Sequence, residues 1–473
     1  MALRFSFLLF VLLPAAFQAQ VWSLDSCINY AYRNNLSIKI SEQNINLSEV
    51  NELTALGGML PSLNAQAGHG YNWGQRIDPF TNQFASSRIQ SNNFGIATSM
   101  NLFGGFQQFN TWRQAEINTD ISKLDFEKAR NDMALNIASA YLNVLLNKEF
   151  SEIAQRTLDA TSTQVSRMEK LVAAGQLPQG NLNDMLAQQA ADNASLVGAV
   201  NNFNMAKLSL MQMLQLDMRQ SASFDVEYPN IEPEESNALL SSPSVAVESA
   251  MNNFPEIKSA QLKVVSAEYG KKIATGAYSP SLSASYSYGT GYSGAAMIAT
   301  GAGTQFFIPI GVVAGTEIPV ITEQTVYEYK VKPFAEQFSD NINKSLFFNL
   351  NIPLFNGFNT HAANKRAQIN LLNSQLQLDQ AKQQLEQTIY KAHADAVAAL
   401  ATYRSSTVSV ETSQKSFEWT KVRYEQGAAN NVEYNDALIR LENARAAQTR
   451  SKYEYIFKVK VLEFYEGKTI RLK

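Results

Sequence analysis

The chain has 473 residues, of which 17% are charged and 45% hydrophobic, and its formal net charge is −3. Near-neutral charge without a basic block excludes the electrostatic footprint of a nucleic-acid binder, so the 39 Lys and Arg residues read as solvated helix surface. One cysteine, Cys27, excludes an intrachain disulfide. Three scattered histidines, His69, His361 and His393, offer no metal-ligand spacing, and no catalytic or phosphate-binding motif accompanies them. The sequence therefore predicts no enzyme and no cofactor.

At the N-terminus, Arg4 precedes an apolar run from Phe5 to Phe17, followed by Gln18, Ala19 and Gln20. This is the order of a secretory signal peptide over residues 1–20, too short for a membrane-spanning helix. No later stretch reaches 18 apolar residues, so no helical membrane span is expected. Cys27 falls within a helix expected over residues 24–57 and reads as a small buried apolar side chain rather than a lipid anchor.

A first structural repeat is expected over residues 21–217. Its first hairpin, at about 61–103, alternates with period two. Leu63, Ala65, Ala67, Tyr71 and Trp73 oppose Asn64, Gln66, Gly68, Gly70 and Asn72; Phe94, Ile96, Met100 and Leu102 oppose Asn93, Gly95, Ser99 and Asn101. Such alternation over about ten residues is the mark of a transmembrane β-barrel strand, apolar outward and polar or tiny inward. His69 lies in the apolar phase, at an interfacial aromatic band, and Arg76 and Asp78 in the next loop read as ordinary loop polarity. The corner NLFGGF, Asn101–Phe106, then leads into a long helix over 105–174, a glycine turn over 175–180 and a helix over 181–217.

A Pro-, Ser- and Glu-rich linker over 218–243 precedes a second repeat over 244–466. It comprises a helix over 244–276, a hairpin at about 280–355, the corner PLFNGF, a long helix over 357–426, a turn over 427–432 and a helix over 433–466, before a tail over 467–473. An offset of 252 carries Leu102, Phe103, Gly105 and Phe106 onto Leu354, Phe355, Gly357 and Phe358, and Asp184 onto Asp436; an offset of 219 carries Pro61-Ser62-Leu63 onto Pro280-Ser281-Leu282. The 33-residue difference between the offsets is extra length between Pro280 and Pro353. Two ungapped registers in order indicate internal duplication.

Each long helix, about 70 residues, reaches about 105 Å, beyond any ordinary globular helix. The shorter helices add pairwise to the same length, as a tube of uniform height requires. Four strands cannot close a barrel, and an open sheet in lipid leaves unpaired edge groups costing several kcal/mol each. Other copies of the chain must complete it; two, three or four copies would close.

The signal peptide, the duplicated halves, the LF-x-G-F corners, the helix starts at Asn34-Asn35-Leu36 and Asn253-Phe254-Pro255, and the glycine turns followed by Asp184 or Asp436 resemble the TolC family of trimeric outer-membrane efflux and secretion channels. The resemblance covers essentially the whole mature chain. It implies an α+β membrane protein whose four β-strands per chain complete a trimeric 12-stranded outer-membrane β-barrel, continued by a long α-helical periplasmic tunnel with a small mixed equatorial region. It implies a passive duct of a tripartite efflux or type I secretion system, partnered by itself as a homotrimer, a periplasmic adaptor and an inner-membrane transporter of RND or ABC type. By position, Tyr424 matches the family's constraining tyrosine, and Glu433 and Asp436 its acidic ring at the periplasmic entrance, with Glu433 where the family often carries Asp. Their i, i+3 spacing puts both carboxylates on one helical face, and three copies would ring the aperture with a field favouring cations. The plainer reading is charge that favours a helix N-terminus. Gly175, Asn181, Asp184 and Gly427 mark the turns that would meet the adaptor. Phe103, Gly105, Phe106, Phe355, Gly357 and Phe358 would form the strand-to-helix joints. An exported structural or adhesive coiled coil without a pore accounts for the helices but not for the strands with Ser/Gly inner faces.

Overall fold

The computed structural model describes residues 21–74, 76–77, 82, 84–85, 88–221, 223–229 and 242–470. The expected signal peptide, Asp78, the side chain of Arg76, residues 230–241 of the linker and residues 471–473 lie outside the described set. The chain divides into two compact units, one drawn from Met1–Glu49, Ile117–Val265 and Leu372–Lys473, the other from Val50–Glu116 and Ser266–Leu371.

The second unit carries the main sheet. Strands β2 (Ser62–Asn72), β5 (Ile89–Gly104), β7 (Ser281–Ser293) and β10 (Asn343–Asn351) form one antiparallel sheet in the order β10-β7-β5-β2. Short strands β3 (Arg76–Ile77) and β4 (Phe84–Ala85) pair with each other beyond β2. Register sorts the sheet into two chemically distinct faces. Ala65, Ile96 and Tyr288 stand in one cross-strand row, and Leu63, Thr98, Tyr286 and Leu346 in the next. The opposite face aligns Asn64, Ala97, Ser287 and Ser345, where the last two hydroxyls lie 2.6 Å apart. Strand pleating alone produces this, since successive side chains point to opposite faces. Leu63, Ile96, Tyr286, Leu346 and Phe348 on the apolar face are all exposed.

Two features depart from the sequence expectation. A β-bulge between Asn101 and Phe103 puts Phe103, not Leu102, opposite Leu282, so Leu102 does not close the apolar phase. The extra residue in one strand shifts the pleat by one position. The hairpin expected over 280–355 is interrupted: β7 pairs with β10, and the extra length between them forms a separate ribbon of β8 (Met297–Val312) and β9 (Pro319–Val331), followed by a short helix. That helix, α7 (Phe334–Asp340), lies on the apolar face of the sheet. Its Phe334 and Phe338 contact Phe94 with ring centroids 6.2 and 5.7 Å away, and Thr290 Oγ1 donates to the Phe338 carbonyl at 2.6 Å. Buried Gln337 fixes the arrangement, accepting from the Ser293 N–H and donating to the Lys332 carbonyl.

The two strand-to-helix corners have one geometry. Gly105 and Phe106 take φ of 62° and 60°, Gly357 and Phe358 both take 63°, and the rings of Phe103–Phe106 and Phe355–Phe358 meet edge to face at 5.5 Å in each case. At the first corner the backbones of Gly105 and Gly276 run in direct contact.

Helices α1 (Leu24–Asn34), α2 (Leu36–Gly57), α3 (Gln107–Ala173), α4 (Gln179–Leu214), α5 (Pro243–Asn253), α6 (Pro255–Gly276), α8 (Asn359–Glu425) and α9 (Asn431–Tyr465) make up most of the rest. At 67 residues each, α3 and α8 are about 100 Å long. The helices expected over 24–57 and 244–276 are each broken once. Asn35 caps α1 with extended backbone, its Oδ1 accepting the Ser37 N–H and its Nδ2 donating to the Met213 carbonyl. At the other break Pro255 disfavours helical backbone at Phe254, which is extended.

The first unit's core packs Cys27 and Ala31 of α1, Ile137, Tyr141 and Leu145 of α3, Leu210, Met211 and Leu214 of α4, and Ile456 of α9. Strand β1 (Val21–Trp22) pairs in parallel with β6 (Asp225–Val226) across it, and Tyr141 Oη donates to the Glu227 carbonyl at 2.7 Å. Ile470 of the tail joins the same cluster. The described parts of the linker and tail thus share one small mixed layer.

Candidate functional site

The turn between α8 and α9 is built by complementary capping. At the end of α8, Ala428 N–H bonds the Arg423 carbonyl at 2.7 Å and Gly427 N–H the Tyr424 carbonyl at 3.1 Å, with Gly427 at φ 74°. This paired closure satisfies carbonyls that have no partner within the helix and needs a left-handed residue, which glycine supplies. Asn430 then caps α9: its Oδ1 accepts the Glu433 N–H at 2.8 Å, and Glu433 Oε1 accepts the Asn430 N–H at 3.5 Å. Glu433 Oε2 lies 3.4 Å from Arg423 Nη2, which also donates to the Ala428 carbonyl at 3.0 Å.

Glu433 is thus engaged within its own turn, whereas Asp436, one turn further along α9, is exposed. The i, i+3 spacing holds, but the two carboxylates do different work. An exposed pair such as Arg423–Glu433 contributes at most about 1 kcal/mol.

Tyr424 sits at the centre of an aromatic clip. Its ring lies 4.9 Å from that of Tyr434, which in turn lies 5.4 Å from Phe417. The Arg167 guanidinium of α3 stands 5.2 Å over the Tyr424 ring, and Gln164 Nε2 of α3 donates to Tyr434 Oη at 3.3 Å. Burial pushes both tyrosine hydroxyls above their ordinary pKa, opposed at Tyr424 by the Arg167 charge. On α4, Asn435 of α9 reaches Met185 Sδ at 3.3 Å, and Met185 is buried with Val165 and Met168. The clip therefore ties the α8–α9 pair to the α3–α4 pair. Gln164 Oε1 is buried there without a hydrogen-bond partner among the described residues, as is Asn431 Oδ1 in the first turn of α9.

Sequence reading found Tyr424 but missed Tyr434, Phe417, Arg167 and Gln164. The repeated aromatics at 417, 424 and 434, around the turn, were the available signal; the α3 partners lie too far along the chain to be paired by local pattern.

The α3–α4 turn is plainer. Gly175 has φ 73° and Gln176 N–H bonds the Leu171 carbonyl at 2.9 Å, but the α4 N-cap is Pro178, with no side-chain cap bond. Asn181 is half-buried and Asp184 exposed. Among the described residues no group of three or more His, Cys, Asp or Glu is placed to hold a metal ion, and no helix is long and apolar enough to cross a membrane.

The family described as outer membrane efflux protein matches residues 28–215 and 246–465. Outer membrane protein TolC of Escherichia coli (strain K12) is 23% identical over 415 residues, covering 86% of this chain and 74% of that protein. Outer membrane efflux protein BepC of Brucella suis is 21% identical over 398 residues, covering 83% and 74%. In structure, the fold is similar to outer membrane protein VceC of Vibrio cholerae, with TM-score 0.75 at 14% identity over 94% of this chain and 96% of that one. It is also similar to the CmeC outer membrane channel of Campylobacter jejuni, with TM-score 0.72 at 16% identity over 94% and 85%.

Proposed function

The chain belongs to the outer membrane efflux protein family, which places it in the outer membrane with its helical part in the periplasm, and from that premise we propose a passive exit duct. Three copies close a 12-stranded barrel, each contributing the four-stranded sheet, and their helices continue it as a tunnel. Two duplicated halves per chain supply the repeated strand-and-helix pattern. A periplasmic adaptor and an inner-membrane transporter of RND or ABC type dock at the helix turns, with Gly175, Asn181, Asp184 and Gly427 on the contact, and open the entrance.

The observation that carries this reading is the sheet itself. Where α7 does not cover it, the sheet exposes an apolar face carrying Leu63, Ile96, Tyr286, Leu346 and Phe348; its other face is rich in Ser, Gly and Asn on β2, β5 and β7, and among the described residues the edge strands β2 and β10 each have a single neighbour. In lipid such edges demand partners. Identical copies meet that demand by joining β2 of one to β10 of the next.

At the entrance, the clip around Tyr424 holds the two helix pairs together at rest, and Asp436 supplies the carboxylate facing solvent, with Glu433 adding charge when Arg423 releases it. Pore opening requires the clip to part; no chemistry is needed, so transport energy comes from the docked transporter.

Purification from outer membranes should yield a detergent-stable oligomer that conducts ions in planar bilayers. A non-conducting monomer would overturn the duct.

A further inference from the structure

The helices of the two halves coincide in length and position under the offsets of 252 and 219. The first carries α3 onto α8 and the second carries α2 onto α6, with matching first and last residues in both cases. Within the first unit these helices stand in the row α2, α3, α6, α8. Ser48 of α2 meets Ser122 of α3 at 2.7 Å, Asp125 of α3 accepts from Ser259 of α6 at 2.6 Å, and Ile257 of α6 packs with Leu385 and Ile389 of α8. The contact inside a half therefore occurs twice, whereas the contact between halves, α3 on α6, occurs once. Its counterpart would join α8 to α2, the two helices that end the row.

The α3–α6 contact has a definite register. Gln107 and Gln114 donate to the carbonyls of Ile273 and Ser266 at 3.0 and 2.9 Å, Asp125 receives Ser259, and the backbones of Gly105 and Gly276 touch. The offsets turn these α3 positions into Asn359, Arg366 and Gln377, and the α6 positions into Thr54, Leu47 and Ile40, all of them exposed. The contrast is large where the residue is apolar: Ser259 and Ser266 are 1% and 9% exposed, but Ile40 and Leu47 are 63% and 60% exposed. Ile40 and Leu47 lie seven residues apart on α2, as the exposed Ile369 and Leu376 do on α8, the spacing of a coiled-coil seam.

The glycines point the same way. A side chain at Gly105 would start 2.2 Å from the Gly276 carbonyl oxygen, whereas at Gly357 and Gly57, their counterparts, it would meet nothing within 4 Å. Gly57 lies outside the left-handed region, so neither its own backbone nor its own chain calls for glycine there. Lipid does not cover this seam, because the helical part lies in the periplasm. A second copy supplies α8 to α2 just as the chain itself supplies α3 to α6.

We propose that α8 of one copy packs on α2 of the next in the register that α3 and α6 keep within a chain. Leu47 then lies beside Ile369, Ile40 beside Leu376, and Gly357 crosses Gly57. The seam between copies is apolar where the seam within a chain is polar. This rests on the duplicated halves and the oligomer proposed above.

The test uses full-length protein in native outer membranes. Cys27 does not interfere: it is buried, and burial pushes its thiol up to about 12. Ile40→Cys combined with Gln377→Cys reproduces the Ser259–Asp125 contact between copies, within disulfide reach. Mild oxidation should link at least about half of the chains into covalent oligomers, while either variant alone stays largely unlinked, since α2 does not meet α2. Gly57→Ala adds a good helix former with open space around it, so helix content should hold, but the detergent-stable fraction should fall at least about tenfold. Three results would overturn the pairing while leaving the duct intact: stable oligomers whose thiols react with a maleimide yet do not link, single variants that link as well as the double, or an undiminished Gly57→Ala oligomer. A monomeric unsubstituted protein would overturn both.

Discussion

The α3–α4 and α8–α9 turns share a left-handed glycine and a closed helix C-terminus, but differ in how the following helix begins. At Pro178 no side chain caps α4; at Asn430 a reciprocal cap, an arginine contact and an aromatic clip converge on α9. One turn is a simple reversal and the other a fastened one. In the duct proposed above, unequal fastening on equal backbone geometry gives the α8–α9 pair the contacts that opening has to break.

The most damaging change to this contrast is Tyr434→Ala. Tyr434 is 4% exposed and touches both Tyr424 and Gln164, so its removal should cost on the order of 3–5 kcal/mol. Bilayer recordings should then show higher conductance, and protease should cut the α8–α9 turn faster. An unchanged conductance would detach the clip from the gate. Next, Gly427→Ala and Gly175→Ala should destabilise by similar amounts, about 1–2 kcal/mol, since both positions have φ near 74°. Thermal unfolding of the two variants checks this, and a large inequality would mean that the turns do not share one closure. Asn430→Ala should cost about 1 kcal/mol and speed amide exchange in the first turn of α9, whereas Pro178→Ala should leave the start of α4 nearly unchanged. Least disruptive to the fold is Glu433→Gln with Asp436→Asn, which should lower stability by under about 1 kcal/mol. Its reversal potential under a salt gradient should nonetheless move toward neutrality, and persistence of full cation preference would remove both residues from the aperture.

Periodicity made the long elements legible. Apolar recurrence without Pro or Gly marked α3 and α8, and period-two alternation marked the sheet strands, because one-sided burial imposes these patterns directly. The bulge at Asn101–Phe103 escaped because alternation counted along one strand is blind to a skipped partner on the next. α7 escaped because seven residues give fewer than two full turns, although Phe334 and Phe338 at i, i+4 were its trace. In the α8–α9 turn, the family resemblance singled out Tyr424, Glu433 and Asp436, and the plainer reading of Glu433 as a helix-start charge describes its contacts within one chain. Arg167 and Gln164 lie more than 250 residues before Tyr424 and Tyr434, and only the packed fold brings them together.

Two joints of one shape are not equally free to vary over generations. A side chain at Gly105 would start 2.2 Å from the Gly276 carbonyl oxygen, and one at Gly276 would start 2.5 Å from that of Gly105, so each glycine locks the other. At Gly357 nothing of the same chain lies within 4 Å, and within one copy only φ of 63° restricts the position. Asn or Asp, which visit that backbone region most readily after glycine, can therefore enter the later joint of a lone chain but not the earlier. Among descendants of this chain, the first joint and its crossing partner must be inherited as a pair for the chain to fold, while the second is held only by assembly.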